Sequence, residues 1–498
     1  MTCIIIGAGP AGLTAAYDLA RAGFHSVTLE ADSAVGGLSK TVSHKGFLFD
    51  IGGHRFFTKV SAVERMWRDV LGSELLVRPR LSRIYYRHHF FDYPLKPANV
   101  ITGLGLDETV RCTASYLRAK LFPQNPELDF ATWVSNRFGT RLFDIFFRTY
   151  TEKVWGMRCD EISADWAAQR IQSLSLGKVV GNALRRHTPL SGSTTPKSLI
   201  EQFLYPRCGP GQMWSKTAAI VEQEGSNVLR RTPVERVLHS HAKITGALTA
   251  QGLQTGDHYI SSMPIRDLIR SMQPPPPERV RQAAERLRYR DYLAVCLICR
   301  REGLFPDNWI YVHDPGVRVG RIQNYGNWSS AMVPRPGMSS LGLEYFCFEG
   351  DELWSKSDKE LVALGTSELA KLNLLRPADV EEGTVLRVPK AYPIYDATYQ
   401  ESLRTIREWV STIENLQLVG RNGMHRYNNQ DHSMLTAMLA VRNILGGNYD
   451  LWEVNEDDEY HETGSTLRDE EIAAMNRDQP AVPRHREFPL EAPHLDDN

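Results

Sequence analysis

Cys3-Ile-Ile-Ile-Gly-Ala-Gly-Pro-Ala-Gly-Leu13 is a short apolar strand that runs straight into Gly7-x-Gly9-x-x-Gly12, and Leu13 to Ala22 continues as a helix with Gly23 to cap it. Gly7 permits the tight turn, Gly9 lets the backbone approach a pyrophosphate, and Gly12 allows the helix to pack close on the strand. The helix N-terminus adds N–H donors and positive dipole where the phosphates would lie. A second strand, Ser26-Val-Thr-Leu-Glu30, ends in an acid 18 residues after Gly12, the spacing of a carboxylate that bonds a ribose hydroxyl pair. A lone glycine triplet is a turn. With strand, helix and acid in place it is a dinucleotide site for an unphosphorylated adenosine ribose, and NAD and FAD both remain open.

The chain has 498 residues, 42% apolar and 23% charged, which excludes a mainly disordered or fibrous protein and leaves room for two or three domains. With 58 basic against 59 acidic residues the net charge is −1, so no overall field draws it to nucleic acid. No apolar run is long enough to cross a bilayer, and Met1-Thr2-Cys3 lacks the basic start of a signal peptide, so a cytoplasmic location is expected. Seven scattered cysteines form no disulfide framework. Cys296 and Cys299 lie in an apolar run that reads as a buried strand, and His88-His89 and His239-x-His241 lack further ligands, so no metal site is expected.

The next residues bear on the cofactor. Gly36-Gly37 follows shortly after the ribose acid, and Phe49-Asp-Ile-Gly-Gly53-His54 comes after it. This arrangement resembles the flavoprotein group that includes amine oxidases, protoporphyrinogen oxidase and UDP-galactopyranose mutase. The resemblance implies FAD, with Gly36, Gly37 and Gly53 in the cofactor site. Thr232-Pro-Val234-Glu-Arg-Val resembles the strand by which that group returns to its FAD domain, which adds Val234. Leu416-Gln-Leu-Val-Gly420-Arg421 reads as a strand ending at a glycine, and Gln430-Asp431-His-Ser as the capped start of a helix whose N-terminus suits a reduced, negatively charged flavin ring, so Gly420, Arg421, Gln430 and Asp431 are expected in the cofactor site.

The string from Gly420 through Tyr427 and Asn429 to Ser433 resembles the C-terminal flavin motif of UDP-galactopyranose mutases, the eukaryotic type especially. Gly52-Gly-His54-Arg-Phe-Phe, Tyr93-Pro-Leu-Lys and Tyr150-Thr-Glu-Lys-Val-Trp155-Gly resemble that family's histidine loop, substrate loop and helical-domain signature. The resemblance implies that His54 stabilises reduced flavin, that Arg170 and Arg321 clamp a substrate diphosphate, and that Tyr93, Trp155, Tyr311, Tyr427 and Asn429 bind the rest of a nucleotide-diphosphate sugar. Planar, bidentate guanidinium groups suit a diphosphate better than ammonium groups do. Leu95 and Lys96 stand where the family has an aromatic and an amide, which leaves the base open.

The expected activity is pyranose-to-furanose isomerisation by reduced FAD at the anomeric carbon, redox-neutral overall, with NAD(P)H as a candidate external reductant. The competing expectation is an FAD-dependent oxidoreductase of the amine oxidase or protoporphyrinogen oxidase type, which shares every FAD-binding residue. A homo-oligomer is the one protein partner considered.

The expected fold is α/β, with a discontinuous Rossmann-like FAD-binding domain, a helical insertion and a second, antiparallel-sheet substrate domain. The FAD domain is expected over 1–100, 190–262 and 410–450, the helical domain over 101–189, the sheet domain over 263–409 and a mobile tail over 466–498. Amphipathic runs predict helices from 107 to 121, 130 to 148 and 162 to 184. Strands are expected around 291–300, 308–312, 320–325 and 341–349. Pro274 to Pro277 reads as a stiff linker.

Overall fold

The computed structural model describes residues 1–93, 95–164 and 202–455. Arg170, nearly all of the helix expected over 162–184 and the tail from 466 lie outside the described residues.

The opening strand Thr2–Ile6 is the middle of a five-stranded parallel sheet in the order Leu416–Leu418, His258–Ser261, Thr2–Ile6, His25–Leu29, Asn227–Leu229. A parallel sheet is covered on both faces, which is why Cys3-Ile-Ile-Ile reads as an unbroken apolar run and all four side chains are buried. Helices Pro10–Arg21, Pro210–Gln223 and Gln430–Ile444 share its core with Trp67 and Trp214. A four-stranded sheet (Gly252–Gln254, Lys243–Thr249, Val234–Ser240, Met272–Gln273) adjoins it. Buried Asn415 joins the two sheets: its amide accepts from the Ile244 N–H at 2.8 Å and donates to the carbonyls of Ile244 at 3.0 Å and Asp257 at 3.2 Å.

The second large element is a seven-stranded sheet in the order Val380–Pro393, Tyr289–Cys299, Ser339–Cys347, Arg321–Asn324, Trp309–Val312, Ser82–Tyr86, His89–Asp92. Every pairing is antiparallel except Trp309–Val312 with Ser82–Tyr86. Period-two alternation sorts its side chains. Leu293, Val295, Ile310, Ile322 and Leu343 pack in one cluster with Leu361 and Leu369 of helix Asp358–Lys371. Tyr292, Ala294, Cys296 and Trp309 face the other way and pack with the helical residues Phe130 to Ala164.

Several boundaries differ from expectation. Strands Ser82–Tyr86 and His89–Asp92, expected with the FAD domain, extend the seven-stranded sheet, because their open edge completes its hydrogen bonding. Helices Ile265–Ser271, Glu278–Arg286 and Tyr399–Val410, expected with the substrate sheet, bury their apolar faces in the core of the five-stranded sheet. Pro274 to Pro277 therefore connects a strand and a helix of one core and does not link two domains. The strand Val380–Pro393 was not expected. Its charged start, Glu381-Glu382-Gly383, hides the alternation that a buried strand shows. The helical run from 130 breaks at Gly139, φ 82°, where a Cβ would lie 2.6 Å from the Tyr116 backbone nitrogen.

Among the described residues no helix is long and apolar enough to cross a membrane. The free cysteines Cys296 and Cys299 are buried in the strand Tyr289–Cys299. Replacing Asn415 with Ala removes three hydrogen bonds and orphans buried backbone groups, so stability should fall by about 2 to 4 kcal/mol. A urea midpoint unchanged from wild type would contradict this reading of the sheet junction.

Candidate active site

The Gly7–Gly12 turn is built from contacts that exclude side chains. A Cβ on Gly12 would lie 1.8 Å from the Gly7 carbonyl oxygen, and one on Gly7 would lie 2.4 Å from Ser262 Oγ. The second glycine pair rests on this turn: the Gly36 N–H donates to the Ala8 carbonyl at 2.8 Å, and a Cβ on Gly37 would come within 3.1 Å of Gly9 Cα. Glu30 closes the group. Its carboxylate accepts the Ala8 N–H at 2.7 Å and the Asp32 N–H at 2.9 Å. Burial raises its pKa, and those two N–H donors oppose the rise. The Thr232 N–H donates to the Glu30 carbonyl at 2.7 Å, which brings the start of the Val234–Ser240 strand beside Glu30.

The C-terminal motif reaches the same place. A Cβ on Gly420 would meet Ala11 Cβ at 3.0 Å, and the Gly420 N–H donates to Thr436 Oγ1 at 3.0 Å. Asn429 caps helix Gln430–Ile444, its own N–H donating to His432 Nδ1 at 3.3 Å. Asp431 is buried in the first turn. Both amide atoms of Gln430 are buried and have no hydrogen-bond partner among the described residues. A buried amide with both ends unsatisfied costs stability unless a polar ligand meets it. The orphaned Gln430, the turn without side chains and the buried Glu30 carboxylate together fit a flavin dinucleotide.

The second half of the site is written in strand register. Tyr311 lies opposite Arg321, and Arg321 opposite Glu344. Arg321 Nε and Glu344 Oε2 are 3.3 Å apart, with the side chains 19% and 1% exposed. Gln323 Nε2 donates to the other Glu344 oxygen at 2.9 Å. Burial works against the Arg321 charge, but Glu344 and the hydroxyls of Tyr150, Tyr392 and Tyr427 outweigh it and hold the pKa well above the ordinary value. Arg321 Nη2 also donates to the Tyr392 hydroxyl at 3.4 Å.

Aromatic rings surround this guanidinium. Tyr392 stacks on Tyr427 with centroids 5.5 Å apart, and Trp155 lies 6.3 Å from each. Tyr311 is 5.3 Å from Tyr93 and 5.6 Å from Tyr150. Arg421 sits over Tyr427 at 4.8 Å and Tyr392 at 5.4 Å, its Nε donating to the Asn428 carbonyl at 2.9 Å and Nη1 to the Ala391 carbonyl at 3.1 Å. No carboxylate among the described residues pairs with Arg421. Trp155 is held from behind, because buried Arg290 donates from Nε to the Val154 carbonyl at 3.0 Å, near the end of helix Thr149–Trp155.

His54 joins the two halves. Gly52 and Gly53 precede it, and a Cβ on Gly53 would meet the Gln323 amide at 3.0 Å. His54 Nε2 donates to the Ile51 carbonyl at 2.7 Å. Desolvation, with the nearby charges of Arg421 and Arg321, lowers its pKa to about 4, so the ring is neutral at neutral pH.

Tyr93, Trp155, Tyr311, Arg321, Arg421, Tyr427 and His54 thus converge. The side chain of Asn429, two residues beyond Tyr427, is exposed and caps helix Gln430–Ile444. Sequence reading missed Glu344, Gln323, Tyr150 and Tyr392. Glu344 had a signal: it is the only charged residue in the strand Ser339–Cys347, which is buried throughout.

A family model for flavin containing amine oxidoreductase matches residues 10–444. Among solved structures the chain is similar to a reduced UDP-galactopyranose mutase, with TM-score 0.78 and 22% identity over 92% of this chain and 96% of that one. At this identity the likeness is one of fold. Among curated proteins it is 55% identical over 49 residues to an inactive all-trans-retinol 13,14-reductase of Danio rerio, covering 10% of this chain and 8% of the relative. It is 33% identical over 110 residues to L-amino acid oxidase Cdc18 of Crotalus durissus cumanensis, covering 19% and 22%. The chain therefore spans less than a quarter of these curated relatives. Its cofactor is FAD.

Glu30→Ala should weaken FAD binding by about 1.5 to 3 kcal/mol, the range for a lost hydrogen bond to a charged group. Flavin titration of the apoprotein with an unchanged dissociation constant would contradict the ribose assignment. The His54 ring, followed by NMR in the flavin-free protein, should stay neutral down to about pH 4. A titration midpoint near 6.5 would contradict the burial argument.

Proposed function

Because the chain belongs to the flavin containing amine oxidoreductase family, we propose that it uses FAD as a nucleotide-sugar pyranose/furanose mutase. The observation that supports this reading is the cationic, aromatic-walled cluster: Arg321 fixed by Glu344 under the rings, and Arg421 stacked over Tyr392 and Tyr427. A neutral substrate has no use for two guanidinium groups there. A diphosphate does, since each fork offers parallel N–H donors to its oxygens.

Bound reduced flavin would supply the nucleophile toward the anomeric carbon. The chain's own residues do the rest. Arg321 keeps its charge and direction because Glu344, itself fixed by the Gln323 amide, holds it on the sheet, and its Nη2 reaches the Tyr392 hydroxyl. Arg421 spends Nε and Nη1 on carbonyls and leaves Nη2 for an anion. Arg170, which the family resemblance pairs with Arg321 on the diphosphate, lies outside the described residues. Tyr93 and Tyr311 offer stacking faces to a nucleobase, while Trp155, Tyr392 and Tyr427 exclude water around the sugar. His54, neutral and fixed by the Ile51 carbonyl, holds its proton at Nε2 and places a polar ring where flavin and sugar would meet.

The second reading is an oxidoreductase that withdraws hydride from an amine or amino acid. The family model and the partial likeness to L-amino acid oxidase favour it. Turnover separates the two. After one charge of dithionite under anaerobic conditions, furanose product from a nucleotide-diphosphate sugar should exceed enzyme many times over. Product that instead tracks stoichiometric consumption of oxygen or another acceptor would decide for the oxidoreductase. Arg321→Lys keeps the charge but loses the fork, so KM should rise about tenfold or more, the equivalent of about 1.5 to 3 kcal/mol, at unchanged flavin content. Wild-type KM would remove the arginine from the substrate site.

A further inference from the structure

The helix Leu106–Leu121 carries its apolar residues on the wrong side for a monomer. Leu106, Val110, Leu117 and Leu121 recur at spacings of four, seven and four, which places them on one face of the helix. That face is open: they are 76%, 66%, 55% and 73% exposed, and Phe122 just beyond them is 75% exposed. The opposite face is the anchored one. Cys112 is buried, Glu108 Oε2 accepts from Arg141 Nη2 at 2.9 Å, and Ser115 Oγ accepts the Arg141 N–H at 3.1 Å. A contiguous exposed apolar stripe on a rigidly seated helix marks an interaction surface.

We propose that this face is the interface between two copies of the chain, packed antiparallel about a two-fold axis. The inference does not depend on the substrate. The stripe is its own complement when reversed: Leu106 meets Leu121, Val110 meets Leu117, and Thr113 meets Ala114. These last two, small and exposed, sit at the midpoint where helix backbones must come closest. Charge points the same way. Asp107 lies in the first turn, Arg118 and Lys120 in the last, so reversal sets the Asp107 end of each helix beside the basic end of the other. Asp107 and Arg118 flank the same edge of the stripe. Arg118 has no carboxylate within ion-pair distance among the described residues, and Asp107 has only the surface pair with Arg111 at 3.1 Å. Antiparallel packing also opposes the two helix dipoles favourably. A parallel pair would set like charges together, and a lipid surface would call for a uniformly basic rim. A two-fold contact needs one self-complementary patch, which this is.

The test is sedimentation of the FAD-loaded full chain across the micromolar range. Wild type should approach twice the monomer mass as concentration rises. Val110→Glu combined with Leu117→Glu should give a monomer with unchanged flavin absorbance and far-UV circular dichroism. Asp107→Arg alone should weaken association about tenfold, and adding Arg118→Asp to it should restore association, because the exchanged charges meet again across the axis. Thr113→Cys should cross-link two copies on mild oxidation. The proposal is overturned if wild type is monomeric at every concentration, or if an oligomer survives the double glutamate change. It is also overturned if the monomer's stripe resists solvent labelling because residues 165–201 or 456–498 cover it, or if the helix carries the protein onto anionic vesicles.

Discussion

The rest of the structure depends on backbone meeting backbone where no side chain fits. Gly12 can approach the Gly7 carbonyl only because it has no Cβ, and that contact seats helix Pro10–Arg21 on strand Thr2–Ile6. The same helix carries Ala11 against Gly420, and Gly423 would put a Cβ 2.7 Å from the Ser261 carbonyl. Three distant stretches, near residues 7, 261 and 420, are therefore fixed to one another within a few ångströms. From that junction helix Gln430–Ile444 takes its line, and with it the orphaned Gln430 amide. A methyl group at Gly12 would displace all of these together.

The second half of the molecule is tied to the first by Gly52 and Gly53, which lie against Tyr292, Glu344 and Gln323 of the seven-stranded sheet and against Trp328 of the short helix Tyr325–Trp328. His54 is thus held between the cofactor side and the arginine cluster. The buried Arg321–Glu344 pair is costly as a source of stability, because desolvating two charges offsets much of their attraction. Its use in the proposed function is directional. Glu344 fixes the guanidinium in place before substrate arrives, and Arg421, held by carbonyls and rings alone, leaves net positive charge for an anion.

The cofactor half was legible because its rules are local: glycine spacing, the acid after the second strand and the capped helix at Gln430 all follow from short-range geometry. Strand Tyr289–Cys299 was legible from its apolar run. The arginine cluster was legible only in part. Arg321, Tyr311 and Tyr427 came from likeness to a family, while Glu344, Tyr150 and Tyr392 depend on cross-strand register and helix docking between residues tens to hundreds of positions apart. Strand Val380–Pro393 was hidden by its charged start, and the domain boundaries shifted because sheet edges and apolar helix faces recruit segments regardless of their order in the chain. Asn429 shows the reverse case, since its capping role competes with a substrate role that the motif alone suggested.

Calorimetric titration of the FAD-loaded protein with a nucleoside diphosphate tests the central claim most directly, with the same titration of an Arg421→Met variant beside it. The geometry predicts saturable binding to wild type that weakens as salt rises, and that falls about tenfold or more when the Arg421 charge is removed, since each charge-assisted contact contributes about 1.5 to 3 kcal/mol. Absence of nucleoside diphosphate binding in a protein whose flavin is instead reduced by an amine or amino acid would contradict the account.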